Sequence, residues 1–304
     1  MNNYIFENQF KEDILKEASK IGFRISNNKP FNKILLEFIT VRLKLIEPRR
    51  RTVKMSPPLL NKLFTHHKRK EIEHLFHQAS SGNNINRFQS KKLLQSRFHD
   101  HMLNEWHIYH FHLSLELENK SKYVKQVDDL LFAYVDQNHI IFLDADKHKP
   151  GIFANEKWLE ILHDFFPELI SEFKVEHWKD VNPKVNAEER QQIWDKGYTL
   201  GMTKIRDTIY FSPGIGRSTS GHGMDVTSNV GNIIRWMHKL DIQISECIQE
   251  LCIYLNTTKD KIDFKVIFGS EHLQVVEISS KISIVNFPEE LISKKELKEK
   301  LKSK

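Results

Sequence analysis

His110 and His112 stand two residues apart in Trp106-His107-Ile108-Tyr109-His110-Phe111-His112-Leu113-Ser114-Leu115-Glu116-Leu117, a stretch that alternates polar with apolar side chains. Residues two apart share one face of a strand. Tyr109, Phe111, Leu113, Leu115 and Leu117 are therefore predicted to line a core, while His110, His112, Ser114 and Glu116 face outward together. Imidazole titrates nearest neutral pH of all side chains, so such a pair suits proton transfer, phosphate contact or metal ligation. With His148, Arg97 and Lys147, the pair supplies the types needed for metal-independent RNA cleavage. A base takes the ribose 2′-hydroxyl proton, a cation stabilises the phosphorane oxygens, and an acid protonates the leaving oxygen. No cofactor is required on this reading. His99 and His101 are secondary candidates for the same roles.

The same region admits a metal. His110 and His112 with Asp144, Asp146 or His148 would form a mixed nitrogen and oxygen ligand set for a divalent ion, as in a metal-dependent nuclease or hydrolase. No Cys-x-x-Cys or His-Glu-x-x-His spacing accompanies it.

A second candidate site is the polar run from Pro213 to Asp225, in which Gly214, Gly216, Arg217, Ser218, Gly221 and His222 are grouped between a strand and a helix. Backbone amides freed by glycine, with a guanidinium and a hydroxyl beside them, are the ingredients of a phosphate cradle. The run lacks the lysine of a P-loop and the spacing of a dinucleotide fold.

Cationic side chains are concentrated between Arg49 and His101. Arg49, Arg50, Arg51, Lys68, Arg69, Lys70, Lys91 and Lys92 are the candidate nucleic-acid contacts there, against only three carboxylates in the same stretch, within a chain of net charge +6. Such a field attracts polyanions and raises their encounter rate, so RNA or another nucleic acid is the expected partner.

At 304 residues, 39% hydrophobic and 11% aromatic, the chain can bury a sizeable core and is not a disordered tract. No apolar run is long enough to span a bilayer, and the first residues lead into charge instead of a secretory core. A cytoplasmic location and no membrane partner are expected. Cys247 and Cys252 read as two buried thiols in a reducing compartment.

These sites must be positioned by an α+β fold. Helices are predicted over residues 6–20, 31–45 and from Ser56-Pro57-Pro58 to about Phe76. Another, around Leu93 and Leu94, precedes the histidine strand. Leu130 to Val135 and His139 to Asp144, joined by Asp136-Gln137-Asn138, form a hairpin, and Trp158 to Phe166 a helix behind it. The expected architecture is N-terminal helices packed on a small antiparallel sheet, followed by a second α+β domain. Its parts are a helical extension (1–55), a histidine-rich domain (56–178), a C-terminal binding or regulatory domain (183–290) and a charged tail (291–304). In the third part, Thr208 to Phe211 reads as a strand and Val230 to Leu255 as a long helix. Strands over 264–268, 273–278 and 282–285 follow it.

Over residues 56–166 this order is similar to the RelE/HigB/ParE toxin superfamily. The resemblance rests on Ile108-Tyr109-His110-Phe111-His112-Leu113, Leu130 to Val135, and Ile140-Ile141-Phe142-Leu143-Asp144-Ala145-Asp146-Lys147-His148. It implies a messenger-RNA endoribonuclease, with His148 as phosphate contact or acid and an antitoxin or regulatory protein as partner. A role in toxin-antitoxin or antiviral defence goes with it. A metal-dependent hydrolase and a non-catalytic nucleic-acid or protein-binding adaptor are the alternatives.

Overall fold

The computed structural model describes residues 7–119, 121–219, 221–254, 256–258, 261–268, 273–278 and 283–287. In chain order the first elements are α1 (Glu7–Ile21), α2 (Phe31–Arg42), β1 (Thr52–Met55), α3 (Pro57–Leu63), α4 (Arg69–Ser80), α5 (His101–Trp106), β2 (Ile108–His112), β3 (Asp129–Val135) and β4 (His139–Lys147). There follow α6 (Lys157–Phe165), β5 (Lys174–Val175), α7 (Ala187–Asp195), β6 (Met202–Ile205), β7 (Thr208–Phe211), α8 (Met224–Tyr254), β8 (Phe264–Phe268), β9 (Leu273–Glu277) and β10 (Ser283–Phe287). The fold is α+β, and no helix among the described residues is long and apolar enough to cross a membrane.

The chain divides into two compact units, Thr40–Val226, and Met1–Ile39 together with Thr227–Lys304. This differs from the expected order of parts. The proline-containing stretch around Val181-Asn182-Pro183 is a loop inside the 40–226 unit, because β5 before it pairs antiparallel with β7 after it, Lys174 opposite Tyr210. Trp194, Ile205 and Tyr210 also join the same apolar core as Trp158 and Leu162. Residues 1–55 are likewise no separate extension. In α1, Phe10, Ile14 and Ala18 recur at helical spacing and are buried, and the Asp13 carboxylate accepts the Val266 N–H of β8 at 3.1 Å. The β10-β9-β8 sheet that completes this unit is antiparallel. The predicted tail 291–304 lies outside the described residues, as do Ile282 and the Cys247 side chain. Cys252 is a half-buried free thiol.

In the 40–226 unit the central sheet has the order β1-β4-β3-β2. The hairpin of β3 and β4 forms as predicted. The sheet is mixed instead of purely antiparallel, because β1 adds parallel to β4, Thr52 opposite His139. Both faces are covered. On one, Leu59, Ile72 and Leu75 of α3 and α4 pack against Tyr109, Phe111 and Phe142. On the other, Trp106, Trp158 and Leu162 pack against Ile108, Phe132 and Leu143, with the Trp158 and Phe132 rings stacked at 3.8 Å. A sheet buried on both faces removes the solvent side that strand alternation presupposes.

Two helices replace the single one expected from Ser56 onward. Ser56 caps α3 by accepting the Leu59 N–H at 3.2 Å, with Pro57 in the first turn. The helix then breaks where His66 Nδ1 accepts the Lys68 N–H at 3.1 Å, a local bond that competes with the helical one. Around Leu93 the chain makes short 3₁₀ turns, Asn86–Phe88 and Lys91–Leu94, and the helix before β2 is the six-residue α5. Leu115 and Leu117 are exposed, since β2 ends at His112.

The deepest charge in this unit is Glu105 of α5, which is fully buried. Its carboxylate accepts from Arg190 Nη1 at 2.9 Å and Trp194 Nε1 at 2.7 Å, both on α7. Removing one partner of a buried ion pair leaves an uncompensated charge. Glu105→Ala is expected to lower the unfolding free energy by about 3–5 kcal/mol, read from urea denaturation of the full chain.

Candidate functional site

The histidines of β2 do not face water. His110 and His112 are only 9% and 7% exposed, because the layer holding Phe153 and Trp158 closes over their face of the sheet. Their rings lie 6.1 Å apart. Phe153 sits 4.9 Å from His110 and 5.2 Å from His148, so the aromatic ring stands between them. His110 Nδ1 makes no hydrogen bond and is 3.7 Å from the Asp100 carboxylate. His112 Nδ1 lies 2.9 Å from the Val127 carbonyl and 3.2 Å from the Val127 N–H. Burial lowers the pKa of both, holding them neutral. His148, Arg97 and Lys147 are exposed. The expected outward trio is thus corrected to two sealed imidazoles and one wet one, which cannot share a phosphodiester.

The alternative ligand set also fails to assemble. Asp144 pairs with Lys62 at 2.5 Å, and Asp146 pairs with Lys157 and, at 3.2 Å, with Lys149. These carboxylates are thus engaged by ammonium groups, while the imidazoles of His110 and His112 are buried. Among the described residues no group of three His, Cys, Asp or Glu is placed to hold one.

The cationic stretch is largely committed to the fold. Arg49 donates to the Gln137 carbonyl, and Arg51 to the carbonyls of Asp136 at 2.9 Å and Glu47 at 2.8 Å, tying this segment to the hairpin turn. Lys68 pairs with Glu71, Arg69 with Glu73 and Lys91 with Glu118. Arg50, Lys70 and Lys92 are exposed. The eight residues are therefore not one open basic face.

What the fold does bring together is the glycine run and the segment leading into α5. The amides expected to cradle a phosphate are spent internally. Gly214 N–H donates to Glu105 O at 3.0 Å, Gly216 to Asn104 O at 2.9 Å, Ser218 to His222 O at 2.8 Å and Gly221 to Ser218 O at 2.9 Å. Gly214 is required by space, since a Cβ there would collide with the Asn104 and Leu103 carbonyls. The loop instead presents side chains. Arg217 Nε donates to Gly221 O at 2.9 Å, and Nη1 lies 3.3 Å from His101 Nδ1. Arg217 Nη2 and His99 Nε2 lie 3.2 and 3.7 Å from where a Cβ on Gly221 would stand, so glycine keeps open the space between them. His222 meets His99 edge to face at 5.6 Å, and its Nδ1 is 3.2 Å from Thr40 Oγ1.

Three contacts position this cluster. Asp100 caps α5, its carboxylate accepting the Leu103 N–H at 3.0 Å. Trp194 stacks on the His101 ring at 5.8 Å. Lys44, 5% exposed, donates to the carbonyls of Gln95 at 2.9 Å and Phe98 at 2.7 Å, holding the turn that delivers His99.

The electrostatics are those of crowded cations. Burial, then Arg217, His222 and Lys44, push the His99 pKa down to about 4. His101 is lowered by burial and by Arg217, and burial brings Lys44 down to about 8 against the pull of Asp100. An anion placed among these groups would relieve their repulsion and raise those pKa values. Of these residues, Arg217 and His222 were in the predicted phosphate loop and His99 and His101 were secondary candidates. Lys44 and Trp194 were missed, although a lysine amid the apolar positions Val41, Leu43 and Leu45 is a signal for one that is buried and bonded. No protein-family model, curated protein or solved structure matches the chain.

Because the folded pKa of His99 lies below its unfolded value, the unfolded chain binds more protons between those values. The stability contributed by neutral His99 is present above about pH 6.5 and is lost as pH falls toward 4. Urea denaturation across this range is expected to show a shallower acid loss in His99→Asn than in the parent chain.

Proposed function

We propose that the 40–226 unit binds a phosphodiester of RNA at His99, His101, Arg217 and His222 and cleaves it by metal-independent acid–base chemistry. The observation that carries this reading is the meeting of Arg217 with His101 across 116 residues of sequence, with His99 facing the same gap. Arg217 supplies permanent charge for the phosphorane oxygens. His99, neutral at physiological pH, is the group suited to accept the 2′-hydroxyl proton. His101, whose pKa an anion would raise, or His222, which meets His99 edge to face, is suited to donate to the leaving oxygen. His110, His112 and Lys147 take no part.

From the toxin-like resemblance of residues 56–166 the proposal keeps only the RNA target, since His110, His112 and His148 stand outside the cluster, and with it a cytoplasmic role in stress or phage defence alongside an antitoxin or regulatory protein. The open cations Arg50, Lys70 and Lys92 are the candidates for backbone contacts outside the cluster.

Full-length protein incubated with single-stranded RNA is expected to cleave it equally with and without chelator. His99→Ala or His101→Ala is expected to slow cleavage by roughly 10²–10⁴ with binding retained, and Arg217→Ala to weaken binding itself. His148→Ala is expected to match the parent. Cleavage that disappears with chelator and returns with a divalent ion, or RNA binding without any cleavage, would overturn the mechanism.

A further inference from the structure

A cavity of about 150 Å³ opens beside the cation cluster, and His99 belongs to both. We propose that this cavity is a nucleobase subsite, so that the ligand is a single-stranded nucleotide whose base enters the cavity while its phosphate lies between Arg217 and His99. The inference rests on the phosphate-binding reading above and adds the class of substrate.

Size is the first argument. The volume is well below the several hundred cubic ångströms of a pocket for a drug-sized ligand, and it suits one planar ring instead of a base pair. Bases are read singly when they are unstacked from a strand and inserted into such a site.

The walls are the second. Leu43 and Phe98 offer apolar surface to the faces of a ring, and Asn104 and Asp225 line the same cavity. The oxygens of these two side chains converge on Gly223, where a Cβ would collide with Asp225 Oδ1 and lie 3.3 Å from Asn104 Oδ1. An amide beside a carboxyl presents both donors and acceptors to the edge of a base. Asp225 Oδ1 also accepts the Val226 N–H at 2.7 Å, which fixes the carboxyl at the cavity wall.

Ile215 is the third. It lines the cavity, yet it is 62% exposed and has φ of +63°. A β-branched residue in the left-handed region is strained. The bonds of Ile215 N–H to Ser212 O at 2.8 Å and Gly216 N–H to Asn104 O at 2.9 Å hold it there against that strain, at the cavity mouth, where the side chain contributes little to the core and can cover a bound ring.

Calorimetric titration of the full chain with inorganic phosphate, a nucleoside and the matching nucleoside 3′-monophosphate separates the two readings. The nucleotide is expected to bind roughly 10–100-fold more tightly than phosphate, the range a single stacked base supplies. Ile215→Gly accepts the left-handed φ and so folds. It is expected to cut that advantage severalfold while phosphate affinity stays at the parent value. Arg217→Ala is expected to weaken nucleotide and phosphate but not nucleoside. Equal affinities for nucleotide and phosphate would overturn the base subsite and leave the phosphate site standing. Nucleoside binding without phosphate binding would support the cavity assignment and overturn the phosphate reading. Binding of none of the three would overturn both.

Discussion

One buried carboxylate organises the candidate site. Glu105 is removed from water by the core that forms around Trp106 and Trp194, and an ion in that position is tolerated only when its oxygens are filled. Arg190 and Trp194 fill them from α7, and the Leu200 N–H reaches the same carboxylate at 3.3 Å. Arg190 also bonds Glu156 at 2.6 Å and lies over the Trp106 ring at 5.0 Å. The Glu105 carbonyl then accepts the Gly214 N–H, which fastens the glycine run to α5. Satisfying one charge thus draws three separate stretches of chain to a common point. It also presses the indole of Trp194 on the ring of His101.

The chemistry follows from where the layers stop. The central sheet is closed on both faces, so the imidazoles of β2 are desolvated and their charged forms suppressed. His110 shows this most plainly, with a ring nitrogen that finds no hydrogen bond. Beyond the sheet, between the turn at 95–98 and the glycine run, imidazoles and a guanidinium stay partly wet while crowding one another. Their lowered proton affinities have two sources, desolvation and mutual repulsion. Only the second is removed by an anion. Cations crowded in this way repel one another in the free protein, and a neighbouring anion of any kind would relieve that repulsion.

Short-range signals were legible where local chemistry decided the outcome. The hairpin of β3 and β4 formed around Asp136-Gln137-Asn138, whose aspartate accepts the amides of Asn138 and His139 at 2.7 and 2.6 Å. The Ser56-Pro57 start of α3, the apolar spacing of α1 and the long pattern of α8 were equally visible. Strand β1 was not, because the alternation of Thr52-Val53-Lys54-Met55 lasts only four residues beside an arginine run and gains its order by pairing with β4. The division of the chain was misplaced for the same reason. A polar, proline-bearing stretch looks alike whether it links two domains or loops within one, and the pairing of β5 with β7 is what distinguishes them.

From its residues alone, this chain is an α+β protein that is rich in imidazole and cationic groups and carries a glycine run with an arginine inside it. Those properties are local, set by side-chain type and by contacts within a few positions. Which histidines meet water, and whether the amides of Gly214 and Gly216 are free, depend on partners tens to about a hundred residues away, although Lys68 and Arg69 pair within four positions. The fold answered each of these against the simplest local expectation. It buried the alternating pair, spent the loop amides on carbonyls, and gathered His99, His101 and Arg217 instead, because desolvation and hydrogen-bond satisfaction are properties of the assembled interior.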